Sequence, residues 1–226
     1  MNRTAYQTQK IFFALGTVCT LTAFGSGALR ALDRAKARIT EIDRLVNTCD
    51  PKADIRDVFM GSDRLIWSLR DHGVEPEISV LAKGYAADEA RRILIAENIT
   101  EALIEIGDTV ITVGSARRIG LQDPFAKAGT VYSFIDAADK AVASSGIYEQ
   151  RPGADPASPL AGVTLIGDSA ALLNALAVTV CTVSLPQAVA LLHSMRVEAI
   201  FVTKAQEVFT TEGVCRNARA ESRIAA

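Results

Sequence analysis

The sequence predicts an α+β fold: a single domain of mixed or antiparallel sheet flanked by helices. Three observations predict it. Short apolar runs separated by Gly, Asp or Asp-Pro crowd residues 102–143, as strands with turns between them do. Longer stretches carry apolar residues at steps of three and four, residues 28–46 above all, and read as amphipathic helices. The two kinds of segment are mixed without the regular strand–helix alternation of a doubly wound sheet. With 226 residues, 49% of them hydrophobic, the chain can bury a proper core. Residues 1–226 are therefore read as one domain, with a polar, frayed tail from Arg216.

The apolar run Ile11–Phe24 comes first. Arg3 and Lys10 precede it and Gly25-Ser26-Gly27-Ala28 follow, the outline of a signal peptide with its cleavage site. It is also the outline of a strand, because Val18, Thr20, Thr22 and Phe24 are β-formers. The run falls short of the roughly 20 apolar residues that a membrane span needs. Ala28–Val46 is expected to be a helix with Leu29, Leu32, Ala35, Ile39, Ile42, Leu45 and Val46 inward. Arg34, Lys36, Arg38, Asp43 and Arg44 face out, and Ser26 is the expected cap. Residues 47–61 are broken by Asn47, Pro51 and Gly61, and a short helix over 62–70 holds Trp67. A second long helix is expected over Tyr85–Glu97, opened by Lys83-Gly84.

Strands are expected at Ala102–Ile106, Val110–Val113, Ile119–Gln122, Val131–Ile135 and Ala141–Ala143. Residues 151–160 contain three prolines and read as a loop before a strand at Val163–Ile166. Ser169–Val183 and Pro186–Met195 read as apolar helices. Ala199–Thr203 and Glu207–Thr210 read as a closing hairpin.

Composition excludes several functions. Twenty-four basic against 26 acidic side chains leave no basic footprint for nucleic acid. A mean hydropathy of +0.21 excludes a disordered chain. Cys19, Cys49, Cys181 and Cys215 form no C-x-x-C pair and read as buried free thiols, which fits a reducing compartment. His72 and His193 lack a neighbouring ligand cluster and read as solvated or packed. No phosphate-binding G-x-x-x-x-G-K-[ST] loop occurs, and Phe24-Gly25-Ser26-Gly27 lacks the third glycine of a dinucleotide fingerprint. Ser144-Ser145-Gly146 lacks the preceding glycine of a nucleophile elbow. Lys83-Gly84 at a helix start would set a cation beside free backbone N–H groups, which suits an anion; a solvated lysine on a cap is the alternative.

Several motifs, taken in order, point to one family. Leu15-Gly16-Thr17 resembles an M-G-T on a first strand, and Glu77-Ile-Ser-Val-Leu-Ala-Lys-Gly-Tyr-Ala-Ala-Asp88 resembles D-L-G-A-I-A-K-G-Y-A-x-D. Ala102-Leu-Ile-Glu-Ile-Gly107 with Asp108 is similar to A-L-I-N-I-G-G-N, and Gly120-Leu-Gln-Asp-Pro124 to G-I-Q-D-P. Ala141-Val-Ala-Ser-Ser-Gly-Ile-Tyr-Glu149 is similar to A-V-A-T-S-G-x-Y-E, and Thr211-Glu-Gly213 to a closing T-x-G. This set resembles the ApbE family of flavin transferases and runs nearly the length of the chain. The resemblance implies an enzyme that cleaves FAD, attaches its FMN to a Thr or Ser of a target flavoprotein and releases AMP, with Mg²⁺ neutralising charge. It implies flavin contacts at Leu15, Glu77 and Lys83, with Ser144, Ser145 and Gly146 near the same cleft. It implies metal ligation at the Val80 carbonyl and through the family's D-A-L-x-T, whose place is taken by Asn174 and Thr179. It also favours the strand reading of residues 11–24, and with it a cytoplasmic location over export.

Departures from the family pattern are visible in the same residues. Asn174 brings an oxygen without a charge, where Mg²⁺ prefers carboxylate. Val178 holds the place of the family threonine, and Thr179, one residue later, is rotated by about 100° around the helix. The family's F-D-x-T has no counterpart between residues 47 and 76, and its H-H-I-x-D-P-x-T-G is reduced to Ala154-Asp155-Pro156. Two alternatives to transfer therefore stay open: a degenerate member that binds a flavin, a nucleotide or a partner, and a hydrolase that splits FAD into FMN and AMP.

Overall fold

The structure, a computed structural model, describes residues 6–49, 59, 63–75, 77–127, 129–146 and 159–214. Its first half holds β1 (Gln7–Ala14), β2 (Thr17–Phe24), α1 (Ala28–Thr48), α2 (Asp63–Asp71), α3 (Ile78–Ala96), β3 (Ala102–Ile106) and β4 (Thr109–Val113). Then come β5 (Arg117–Gln122), β6 (Val131–Ala137), β7 (Ala141–Gly146) and β8 (Leu160–Gly167). The chain continues through α4 (Ala170–Val180), α5 (Leu185–Ser194), β9 (Glu198–Thr203) and β10 (Val208–Thr210). Eight strands make one antiparallel sheet in the order β1-β2-β3-β4-β7-β8-β9-β10, and β5–β6 is a separate hairpin. The α+β expectation holds. The proline-rich stretch 151–158 and the tail lie outside the described residues, as does Cys215.

The run Ile11–Phe24 is the end of one strand, a turn and a second strand. Ala14 pairs with Thr17, so the loop has two residues, and Leu15 and Gly16 take φ of 53° and 70°. Two consecutive positive φ values make the tight turn whose twist matches a hairpin. On β2 Cys19, Leu21 and Ala23 are fully buried under the helices and Val18 is exposed, while Thr22 on the opposite face is also buried. Two long helices also differ from expectation. α1 starts after Gly27 with no side-chain cap, so Ser26 does not cap it. Its buried stripe is Ala28, Ala31, Leu32, Ala35, Ile39 and Ile42, which leaves Leu29 58% exposed. α3 starts at Ile78, seven residues before the expected position, so Lys83-Gly84 lies inside the helix.

Gly84 is a contact rather than a helix start. A Cβ there would stand 2.3 Å from the Ala170 carbonyl oxygen and 2.6 Å from the Ala171 nitrogen. α3 therefore presses directly on the first turn of α4, while its other flank packs on α1. One turn further along α3, Asp88 takes the Ser169 hydroxyl at 2.9 Å and the Ala170 and Ala171 N–H groups at 3.1 Å each. Those amides begin α4 and have no partner within their own helix, so a carboxylate from a neighbouring helix completes the cap. Arg38 of α1 and Arg92 both donate to Glu89, at 2.9 and 2.8 Å, and fasten α1 to α3.

The helices cover one face of the sheet over an aliphatic core. Ile119, Leu121, Ile135 and Ala137 of the β5–β6 hairpin cover Val142, Ile166 and Ile200 on the other face. Of the described cysteines, all free, Cys19 is buried, while Cys49 and Cys181 are half-buried, less enclosed than expected. Trp67 is 70% exposed, because α2 buries Ile66 and Leu69 instead. Among the described residues no helix is long and apolar enough to cross a membrane.

Two predictions follow from the helix contacts. Gly84→Ala forces α3 and α4 apart and lowers stability by about 1–3 kcal/mol, measured by urea unfolding. The hydrogen bond from Arg92, aided by Arg38 and opposed by burial, holds the Glu89 carboxyl below its ordinary 4.5. A lowered carboxylate contributes stability that is complete above its unfolded value and lost as pH falls through the folded one. Glu89→Gln therefore destabilises the chain at neutral pH and flattens the stability–pH curve on the acid side of 4.5.

Candidate active site

The pairing register brings three chain segments to one end of the large sheet. Ala14 faces Thr17, Ile106 faces Thr109, and Thr109 faces Ala143. The turns Leu15-Gly16 and Gly107-Asp108 thus lie side by side, and the Gly107 N–H donates to the Val18 carbonyl at 3.3 Å. Gly107 sits at φ +59°, where a side chain is strained, and a Cβ would meet Thr17 Oγ1 at 3.1 Å and Lys83 Nζ at 3.5 Å. The ammonium of Lys83 therefore stands over the Gly107 turn and beside Thr17. Among the described residues it makes no hydrogen bond or ion pair.

Asp43 holds the first of these turns. Its Oδ1 accepts the Leu15 N–H at 2.8 Å and the Asn47 side-chain amide at 3.1 Å. Asp43 is half-buried at this work, not an outward residue of α1. Beside it Cys19 of β2 is buried between the sheet and the helices, its thiol pushed up to about 11, chiefly by burial. The sulfur stays protonated and gives its hydrogen to the Ala14 carbonyl.

Asn174 comes from the second turn of α4. Its Oδ1 accepts the Thr109 hydroxyl at 3.0 Å, and its Nδ2 faces the Val80 carbonyl oxygen at 3.5 Å. The structure thus brings Val80, Asn174 and the buried Thr109 together on the helix side. Thr179 does not join them: five residues on, it is turned about 140° around α4. Its hydroxyl donates to the Ala175 carbonyl at 3.0 Å. Glu77 is the exposed N-cap residue of α3, with its carboxylate at the positive end of that helix.

Strand alternation separates the two serines. Ala141 and Ala143 face the helices, and Ser145 follows them inward, 5% exposed. Ser144 points with Val142 to the other face, where its hydroxyl lies 3.0 Å from that of Thr164. It lines a small pocket with Gln122, Pro124, Tyr132 and Thr164, which Ser145 also borders, and the Tyr132 hydroxyl is buried there without a partner among the described residues. Burial, followed by the nearby Asp123, pushes that phenol up to about 12. Gly146 pairs with Gly162 at the far end of β7.

Three residues that shape this region have no role assigned from the sequence alone: Asp43, Thr109 and Asp88. Asp88 stood inside a motif, one helical turn after Gly84, and that spacing was the signal available. Asp43 and Thr109 gave none, because their partners lie 28 and 65 residues away.

The model of the ApbE family matches residues 60–201. The chain belongs to the ApbE family. It is 37% identical over 82 residues to the FAD:protein FMN transferase of Klebsiella pneumoniae, which is 36% of this chain and 26% of that protein. It is 36% identical over 76 residues to the enzyme of that name from Buchnera aphidicola, 31% of this chain and 22% of that one. The matched stretch thus spans about a quarter of the length of these curated relatives. The flavin transferase ApbE of Vibrio cholerae shares the fold at a TM-score of 0.70 and 14% identity, over 94% of this chain and 99% of that one. The ApbE protein of Thermotoga maritima does so at 0.71 and 17%, over 95% and 100%.

The divalent cation implied by family resemblance does not fit the donors of this ApbE chain. Val80 offers a carbonyl, but the Asn174 side chain presents an amide nitrogen toward it, and Thr179 faces its own helix. Among the described residues no three His, Cys, Asp or Glu side chains are grouped as a metal would need.

The turn held by Asp43 yields a prediction. Asp43→Ala removes the acceptor of the Leu15 N–H and speeds exchange of that amide about tenfold or more. Asp43→Asn, which keeps an acceptor oxygen, leaves the rate within a few-fold of the parent, as hydrogen-exchange NMR would read.

Proposed function

We propose that this ApbE chain is an FAD:protein FMN transferase, acting on FAD and on a Thr or Ser of a target flavoprotein. The observation that carries the proposal is the Lys83 ammonium, free of partners among the described residues, over the Gly107 turn and beside Thr17. An unpaired cation between two backbone turns suits the phosphates of a dinucleotide. Family membership supplies which dinucleotide.

The transfer is a displacement at phosphorus. The acceptor hydroxyl attacks the phosphorus on the FMN side of the pyrophosphate, and the bond to the AMP phosphate breaks. The hydroxyl proton passes to water, and negative charge gathers on the phosphate of the departing AMP. Lys83 offsets that charge as it develops. The Leu15-Gly16 turn, fastened by Asp43, forms one wall of the cleft. Glu77, the exposed N-cap residue of α3, is proposed to meet the flavin, as are Leu15 and the inward Ser145. Ser144 and Gly146, on the far side of the strand and at its end, are given no contact. Magnesium would add charge neutralisation where a site held it. With the present donors no step is assigned to it.

The test incubates the purified chain with FAD and a flavoprotein domain that carries a Ser or Thr acceptor. The expected result is a mass gain of one FMN on the target with release of one AMP. Lys83→Ala lowers the rate about 10²-fold or more. AMP without labelling would make the chain a hydrolase, and bound FAD with neither product would make it a binding protein; either outcome overturns the proposal.

A further inference from the structure

Asn174 stands where the family places a carboxylate, and the atoms around it say what the change accomplishes. The Val80 carbonyl can only accept a hydrogen bond, so the Asn174 atom that faces it at 3.5 Å is the amide nitrogen. The opposite end of the same carboxamide takes the Thr109 hydroxyl at 3.0 Å, and Thr109 is 2% exposed. That hydroxyl has a proton to place in a buried setting, and Oδ1 receives it. Both ends of the amide are thereby oriented, and an N–H group fills the gap between α3 and α4. Val178, one turn on from Asn174, is aliphatic and adds no donor.

An aspartate in this position would turn a carboxylate oxygen toward the carbonyl oxygen of Val80. Two oxygens without a hydrogen between them repel, and a half-buried setting strengthens the repulsion. A cation between them would relieve it. The amide relieves it with its own hydrogen.

We propose that the Asn174 amide does the work of a divalent cation here, so that the contact between α3 and α4 at the cleft closes without metal. The proposal rests on the transferase reading only for the identity of the ligand that the cleft would hold. It predicts a chain indifferent to divalent ions and made dependent on them by one substitution.

The experiment measures thermal unfolding in EDTA and in Mg²⁺, together with Mn²⁺ binding by electron paramagnetic resonance, on the full chain. The parent is expected to unfold at the same temperature in both buffers and to bind no Mn²⁺ tightly. Asn174→Asp is expected to unfold about 4 °C lower in EDTA, to recover in Mg²⁺, and to bind Mn²⁺ at least about tenfold more tightly than the parent. Asn174→Ala, which lacks both the amide and the carboxylate, is expected to lose stability equally in both buffers. Where Asn174→Asp does not fold alone, Asn174→Asp with Val178→Thr, purified in Mg²⁺ and then stripped, gives the same reading. Parent protein whose midpoint rises in Mg²⁺ and whose Mn²⁺ signal is lost in Asn174→Ala would overturn the proposal. So would an Asn174→Asp chain indifferent to both buffers. FAD affinity, read by fluorescence quenching, separates the two readings: a parent that never binds FAD overturns the transferase reading and leaves the cation comparison to decide Asn174.

Discussion

The close approach of α3 to the first turn of α4 is the constraint on which the site depends. Gly84 has no room for a side chain against Ala170, so the two helices meet backbone to backbone. The helices cross in opposite directions: Asp88 reaches Ser169–Ala171, Gly84 reaches Ala170, and Val80 reaches Asn174. Each contact is one turn of α3 from the next. The cap at one end and the site at the other are thus parts of one rigid crossing. A shift of either helix that breaks the cap also separates Val80 from Asn174.

A second constraint divides the charges by role. Asp43, Asp88 and Glu89 are all committed to structure: one to a turn, one to a helix end, one to a pair of arginines. Glu198 is likewise held by Thr211 and the Gly213 N–H, which closes the chain beside β9. Lys83 has no such duty among the described residues. A half-buried, unpaired cation favours an anionic ligand, because solvent competes less there than at the surface. The sheet then sets which side is used. The helix face carries Lys83, Asn174 and Ser145, while the hairpin over the other face closes around Ser144 and Tyr132.

Local pattern carried much of the fold. The short strands between residues 102 and 143 appear where turn residues bounded β-formers: β3 keeps its expected bounds and the other four are extended by one to three residues once paired. The closing hairpin and the two apolar helices before it likewise match. Errors fell where a residue's meaning depends on a distant one. Gly84 has the local look of a helix start, and only Ala170, 86 positions on, makes it the middle of one. Leu15-Gly16 was invisible as a turn inside an apolar run, because leucine at positive φ is unusual and is tolerated there with its amide held by Asp43.

The family and the α+β class were legible in the sequence alone. These are properties of residue identity and order, legible wherever motifs keep their sequence along the chain. Three features emerge in the folded chain instead: Asn174 turns its nitrogen to Val80, Thr179 faces away, and the two serine side chains part to opposite faces. Hydrogen-bond polarity and strand alternation act between atoms that only folding brings within reach. A side chain's role there is set by what it meets.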